Sequence, residues 1–192
     1  SGTGGYPIEI LAGRNANSHP YTWTIPSGQY VLVTSDTCRI RVSDSTEPTV
    51  YGASTNDFKI KPVLTITKPD ASSKFRIESS SDIEWLAPKG KADKVKIEYS
   101  LDAGATWETP PIADNLDSTA LKYGWSIPDR PNGDTVVRIS KAGDSSVKSD
   151  SQQFSIMGTL QLIQPIANVN MPIFNHYLIK WIPTGTLGKC KI

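Results

Sequence analysis

The chain has 192 residues, 38% of them apolar, with 20 basic and 19 acidic side chains and a net charge of +1. That length allows one large domain or two small ones, and the apolar share excludes wholesale disorder. The balanced charge, without runs of one sign, excludes the basic footprint of a nucleic-acid-binding domain. No stretch approaches the ~20 apolar residues of a membrane-spanning helix, and Ser1 to Gly5 lacks the charged and apolar regions of a signal peptide.

β-branched residues (19 Ile, 10 Val, 17 Thr) outnumber Leu and Ala (11 and 12) two to one. Branched side chains suit pleated strands, whereas Leu and Ala favour helices. No run of a dozen residues keeps a helical apolar stripe free of breakers. Short alternating segments bounded by Gly, Pro, Asp and Ser recur instead, at roughly 8–12-residue intervals, which predicts an all-β sandwich or barrel.

In chain order, the first motifs are Tyr21-Thr22-Trp23-Thr24-Ile25-Pro26, Arg39-Ile40-Arg41-Val42-Ser43 and Phe58-Lys59-Ile60. Each has a later echo: Tyr123-Gly124-Trp125-Ser126-Ile127-Pro128, Val136-Val137-Arg138-Ile139-Ser140 and Phe154-Ser155-Ile156, at offsets of 102, 97 and 96. Strands are predicted at Leu64–Thr67, Phe75–Glu78, Asp82–Trp85, Lys94–Ser100, Trp107–Thr109, Leu121–Ile127, Thr135–Ser140 and Gln152–Ile156. A second series of echoes runs to the C-terminus. Leu64-Thr65-Ile66-Thr67-Lys68-Pro69 matches Leu160-Gln161-Leu162-Ile163-Gln164-Pro165, and Ile83-Glu84-Trp85 matches Ile179-Lys180-Trp181, both at offset 96. Lys94-Val95-Lys96-Ile97 matches Lys189-Cys190-Lys191-Ile192 at offset 95.

The expected organisation is therefore tandem: residues 1–62 the second half of one repeat, 63–157 a complete repeat, 158–192 the first half of another. A fragment of a longer array is expected. Trp23, Trp85, Trp125 and Trp181 recur at matching places and are assigned to the repeat core.

These motifs (L-T-I-T-x-P, I-x-W, K-V-x-I-x-Y-S-x-D-x-G-x-T-W, W-x-I-P, V-R-I-S and S-x-x-F-x-I) resemble Ig-like repeats of microbial surface proteins related to the fungal Kre9/Knh1 cell-wall domain. The resemblance implies an immunoglobulin-like or fibronectin III-like sandwich, an extracytoplasmic cell-wall or surface-layer setting and a structural role. It carries over no catalytic residue.

Ser100 to Trp107 fits S-x-D-x-G-x-T-W and resembles the Asp-box turn. Its physics is a hairpin in which Asp102 accepts backbone N–H bonds, Gly104 takes positive φ, and Thr106 and Trp107 restart the strand. A sialidase reading fails because that fold is a propeller of many blades and no arginine triad is visible. Asp114, Asp117, Asp129 and Asp134 invite calcium, which needs six to eight oxygen ligands. No D-x-D-x-D-G loop is present, so surface acids are expected, with the junctions near Pro62 and Met157 the places for any ion. His19 and His176 stand alone, without zinc spacing. Cys38 and Cys190 are too few for a disulfide framework. Cys38 opens the strand matching Thr135–Ser140, and Cys190 replaces inward-facing Val95. A Cys38–Cys190 bond between two copies, as the C-terminal half-repeat of one completes the N-terminal half-repeat of the other, is the sharper alternative to two separate thiols.

No nucleophile elbow, phosphate loop or carboxylate pair appears, so no enzymatic activity and no cofactor are expected. The expected partners are neighbouring repeats, copies of the same chain and cell-wall polysaccharide, with neither nucleic acid nor membrane insertion. The function expected is a structural segment of a surface layer or adhesin stalk. The alternative is a glycan-binding accessory module of an extracellular carbohydrate-active enzyme, with Tyr6, Tyr21, Tyr30 and Tyr51 as its aromatic candidates.

Overall fold

A computed structural model describes residues 5–25 and 35–192. The chain divides into two units, Ser1–Val63 with Lys89–Lys91, and Leu64–Pro88 with Ala92–Ile192.

In the first unit, residues 5–25 run as turns and irregular chain. Four short strands follow: β1 (Ser35–Cys38), β2 (Arg41–Ser43), β3 (Tyr51–Ala53) and β4 (Phe58–Ile60). β1 pairs with β4 and β2 with β3, both antiparallel. Tyr21–Ile25, unlike its echo Tyr123–Ile127, is not a strand. The later segment has a ladder partner, and the earlier one has none among the described residues. Pro26 and Tyr30 lie outside the described residues.

The second unit contains β5 (Ile66–Lys68), β6 (Lys74–Arg76), β7 (Ser80–Trp85), β8 (Lys94–Ser100), β9 (Ala113–Asp117), β10 (Lys122–Ser126), β11 (Asn132–Lys141), β12 (Asp144–Asp150) and β13 (Phe154–Met157). β14 (Thr159–Gln164) and β15 (Lys180–Thr184) follow. One sheet has the order β10-β7-β5; the other runs β6-β13-β11-β8-β9, with β12 also on β11. β6 lies parallel to β13, and the remaining pairs are antiparallel. Two such sheets packed over one core make an immunoglobulin-like, fibronectin III-like sandwich.

Alternation builds that core. β7 buries Ile83 and Trp85 while Ser80, Asp82 and Glu84 stay out. β8 buries Val95 and Ile97, β11 Val137 and Ile139, β13 Phe154 and Ile156. Trp125 of β10 sits among Phe75, Tyr99 and Phe154, with ring centroids 6.3, 5.1 and 6.4 Å away. The Trp85 indole N–H donates to the Ser118 carbonyl at 2.8 Å, so its polar atom is satisfied inside. Each fully buried aliphatic side chain contributes about 1.5–3 kcal/mol.

Pairing registers recur at the offsets of the sequence echoes. Ile66 faces Trp85 and Lys68 faces Glu84; 96 residues on, Leu162 faces Trp181 and Gln164 faces Lys180, with a register shift at the same place. Arg41, Val42 and Ser43 face Ala53, Gly52 and Tyr51; 97 residues on, Arg138, Ile139 and Ser140 face Asp150, Ser149 and Lys148. Ser35 and Cys38 face Ile60 and Phe58, as Asn132 and Thr135 face Ile156 and Phe154. A side-chain bond recurs too. Ile40 N–H donates to Ser54 Oγ at 3.1 Å, and Val137 N–H donates to Ser151 Oγ at 3.0 Å. A one-residue slip in any pair would turn its apolar face outward.

Several strand expectations need correction. Trp107–Thr109 is not a strand. Its one ladder-like bond runs from Glu108 N–H to the Tyr99 carbonyl at 2.9 Å, and β9 takes the edge beside β8 instead. β12 was not expected, because Val147 is its single apolar residue. Between β4 and β5 lie Lys61 to Thr65, and between β13 and β14 Gly158 alone.

Candidate functional site

The Ser100–Trp107 loop closes on itself. The buried Ser100 Oγ donates to Asp102 Oδ1 at 2.7 Å and accepts from the N–H groups of Asp102 and Gly104 at 3.2 and 2.8 Å. Asp102 Oδ1 accepts from Thr106 N–H at 2.8 Å, and its Oδ2 accepts from Thr106 Oγ1 at 2.6 Å. These bonds, led by those from the Ser100 and Thr106 hydroxyls, hold the Asp102 carboxyl at about 2. Proton transfer at neutral pH needs a pKa near 7, so Asp102 is suited to holding a turn. Gly104 has φ +92°, a conformation that L side chains rarely adopt, and a Cβ there would lie 3.6 Å from the Trp107 indole. Ala103 N–H donates to the Asp134 carbonyl at 2.9 Å, which ties the loop to β11.

Arg138 covers this loop. Its guanidinium carbon lies 3.9 Å above the centre of the Trp107 ring, and its Nε and Nη2 donate to the two oxygens of Asp150 at 2.6 and 2.8 Å. Asp150 raises the Arg138 pKa, and Arg138 in turn lowers that of Asp150. Trp107, Arg138 and Asp150 are far apart in the chain, so no local motif marks the stack.

A second cluster lies where β13 passes into β14. Thr186 N–H donates to Asp129 Oδ1 at 2.7 Å and Thr186 Oγ1 donates to Asp129 Oδ2 at 2.9 Å. A Cβ on Gly158 would sit 2.6 Å from both the Leu187 side chain and the Thr184 carbonyl. Gly185, at φ +91°, has Ile77 so close that a Cβ there would lie 1.7 Å from its Cδ1. An open groove beside this contact is lined by Leu101, Asp129, Arg130, Pro131, Asn132 and Thr186.

The other candidate residues are dispersed. Trp85 and Trp125 are buried, whereas Trp23 and Trp181 are half-buried. Asp114 and Asp117 lie on β9 and Asp134 on β11, not in loops, and Asp129 is engaged by Thr186. Among the described residues no group of three or more His, Cys, Asp or Glu could hold a metal ion. His19 and His176 are exposed. Tyr21 and Tyr51 are exposed and Tyr6 half-buried. Arg14 stacks over Tyr21 at 5.1 Å, and Arg41 lies 4.9 and 5.6 Å from the rings of Tyr6 and Tyr51.

Cys38 is half-buried, its Sγ 3.6 Å from the Ser35 carbonyl, and Cys190 is exposed outside any strand; no disulfide is formed by either. Residues 63–157 give no template for joining them. Their equivalents there are Thr135 and Val95, on neighbouring strands β11 and β8. Val95, however, faces Lys141, six residues along β11 from Thr135. At ~3.3 Å per residue that is roughly 20 Å, well beyond the ~7 Å limit for bridged Cα atoms.

No family model matches the chain, and no curated protein does. Among solved structures, a structure of Clostridium thermocellum CbhA fibronectin(III)-like modules is 20% identical, with a TM-score of 0.29, over 66% of this chain. This chain spans 65% of that one.

Proposed function

We propose that this chain is a structural segment of a tandem immunoglobulin-like array on the outer face of a cell, in a surface layer or adhesin stalk, with no catalysis of its own. The observation that carries this reading is the β13–β14 junction. A single glycine separates the two strands, and Asp129 grips the backbone and hydroxyl of Thr186 across it. A flexible linker would need many unrestrained residues. Units joined this tightly contact their neighbours in a quasi-linear stack. The resemblance of the repeat motifs to Kre9/Knh1-related surface domains supports the extracytoplasmic setting. Neighbouring repeats and further copies of the chain are then its main partners, and cell-wall polysaccharide its surroundings.

Exposed Tyr21 and Tyr51 favour one second reading, a glycan-binding accessory module. Each ring already has a guanidinium on one face, which leaves one face at most for a sugar.

The location is tested on intact cells that carry the protein natively. A membrane-impermeant amine reagent should label exposed lysines such as Lys59 and Lys122 as fully as in lysed cells. Labelling only after lysis would contradict the surface assignment.

A further inference from the structure

We infer that Asn132 is a self-modification site, where the Gly133 backbone nitrogen closes on the Asn132 side-chain amide, ammonia leaves, and water opens the resulting succinimide. Asn132-Gly133 is the chain's one Asn-Gly step. Glycine matters because a following residue without a side chain lets its nitrogen approach closely. Nothing lies within 4 Å of the place a Gly133 Cβ would take.

The fold activates the amide from its other side. Asn132 Oδ1 accepts from Asp134 N–H at 2.6 Å and from the buried Thr135 hydroxyl at 3.5 Å. Negative charge grows on this oxygen when a nitrogen attacks Cγ. Two donors aimed at it form a small oxyanion hole. The backbone there is also held by neither ladder. β11 pairs with β13 at Asn132 and at Thr135 but not between them, and its pairing with β8 begins at Val136. Gly133 and Asp134 therefore bulge between the ladders and are exposed.

The step balances with water alone. A bond forms between Gly133 N and Asn132 Cγ, the Cγ–Nδ2 bond breaks, and the Gly133 amide proton departs on ammonia. Water then adds at Cγ to give aspartate at position 132, or at the Asn132 backbone carbonyl to give isoaspartate. In the isoaspartate the main chain runs on through Cβ and Cγ and is longer. That change falls just before the Asp134 carbonyl, which accepts from Ala103 N–H at 2.9 Å. The modification thus reaches the Ser100–Trp107 turn.

The test incubates the full chain at mildly alkaline pH, folded and in urea, and follows the tryptic peptide Tyr123–Arg138 by mass. Trypsin spares Arg130 because Pro131 follows it, and Asn132 is the only side-chain amide in that peptide. The folded chain should convert Asn132 to acid at least as fast as the unfolded one, with isoaspartate among the products. Thr135→Val keeps the buried shape without the hydroxyl. It should slow conversion about two- to tenfold in the folded chain, the worth of one hydrogen bond, and leave the rate in urea unchanged. Gly133→Ala, which has room for its methyl group, should slow conversion in both states. Slower conversion in the folded wild type than in urea overturns the inference. So does a folded Thr135→Val chain that reacts like the wild type, a Gly133→Ala chain that is no slower, or a product that is aspartate alone.

Discussion

Trp125→Ala is expected to remove about 3–5 kcal/mol from the complete repeat, the usual range for emptying a buried aromatic site. The side chain is 5% exposed and meets three other rings, from β6, β8 and β13. It therefore bridges the two sheets, and the surrounding rings belong to separate strands that cannot collapse together into the space. A domain of this size has roughly 5–15 kcal/mol to lose, so the variant should unfold at a much lower urea concentration than the wild type. Trp181→Ala is the matched control. Trp181 holds the position of Trp85 in the partial repeat but is half-buried, and its removal should shift the midpoint far less. Equal shifts from the two variants would mean that Trp125 does not organise the core described above.

Gly185→Ala should release the segment beyond β14 from the sandwich. Two effects coincide there. The residue sits at φ +91°, where any Cβ is strained, and the added carbon would overlap Ile77 Cδ1 and come within 2.8 Å of Asp129 Oδ1. Ile77 is buried in the core and has little freedom to retreat. Strain of this kind and overpacking each cost about 1–3 kcal/mol, and the displaced Asp129 would lose both bonds to Thr186. Hydrogen exchange should show Thr186 and the β14–β15 ladder deprotected while β8 and β11 stay protected. Gly188→Ala has nothing within 4 Å of the new carbon and should exchange like the wild type. Unchanged Thr186 protection in Gly185→Ala would show that the junction is not built as described.

How legible all this was depended on sequence distance and side-chain chemistry. Lys94–Ser100 was readable to the residue, because Val95 and Ile97 alternate with Lys94, Lys96 and Glu98. The repeat was readable because its motifs combine aromatic, proline and branched residues in fixed order. β12 escaped because an edge strand with one apolar residue reads as a loop. β9 escaped because Asp114, Asn115 and Asp117 mask its alternation, while Trp107 resembled a strand start and instead lies under Arg138. In the Ser100–Trp107 turn the roles of Asp102 and Thr106 could be read locally, since all their partners lie within a few residues. The Asp129–Thr186 contact joins residues 57 apart in the chain, and nothing near either one announces the other.

The central claim, a junction stiff enough to make successive repeats act as one body, is tested most directly by residual dipolar couplings of backbone amides in solution. Couplings from β7, β8, β10 and β11 and those from β14 and β15 should fit a single alignment tensor of one magnitude. Two different tensors, with the β14–β15 values scaled down by independent motion, would contradict it.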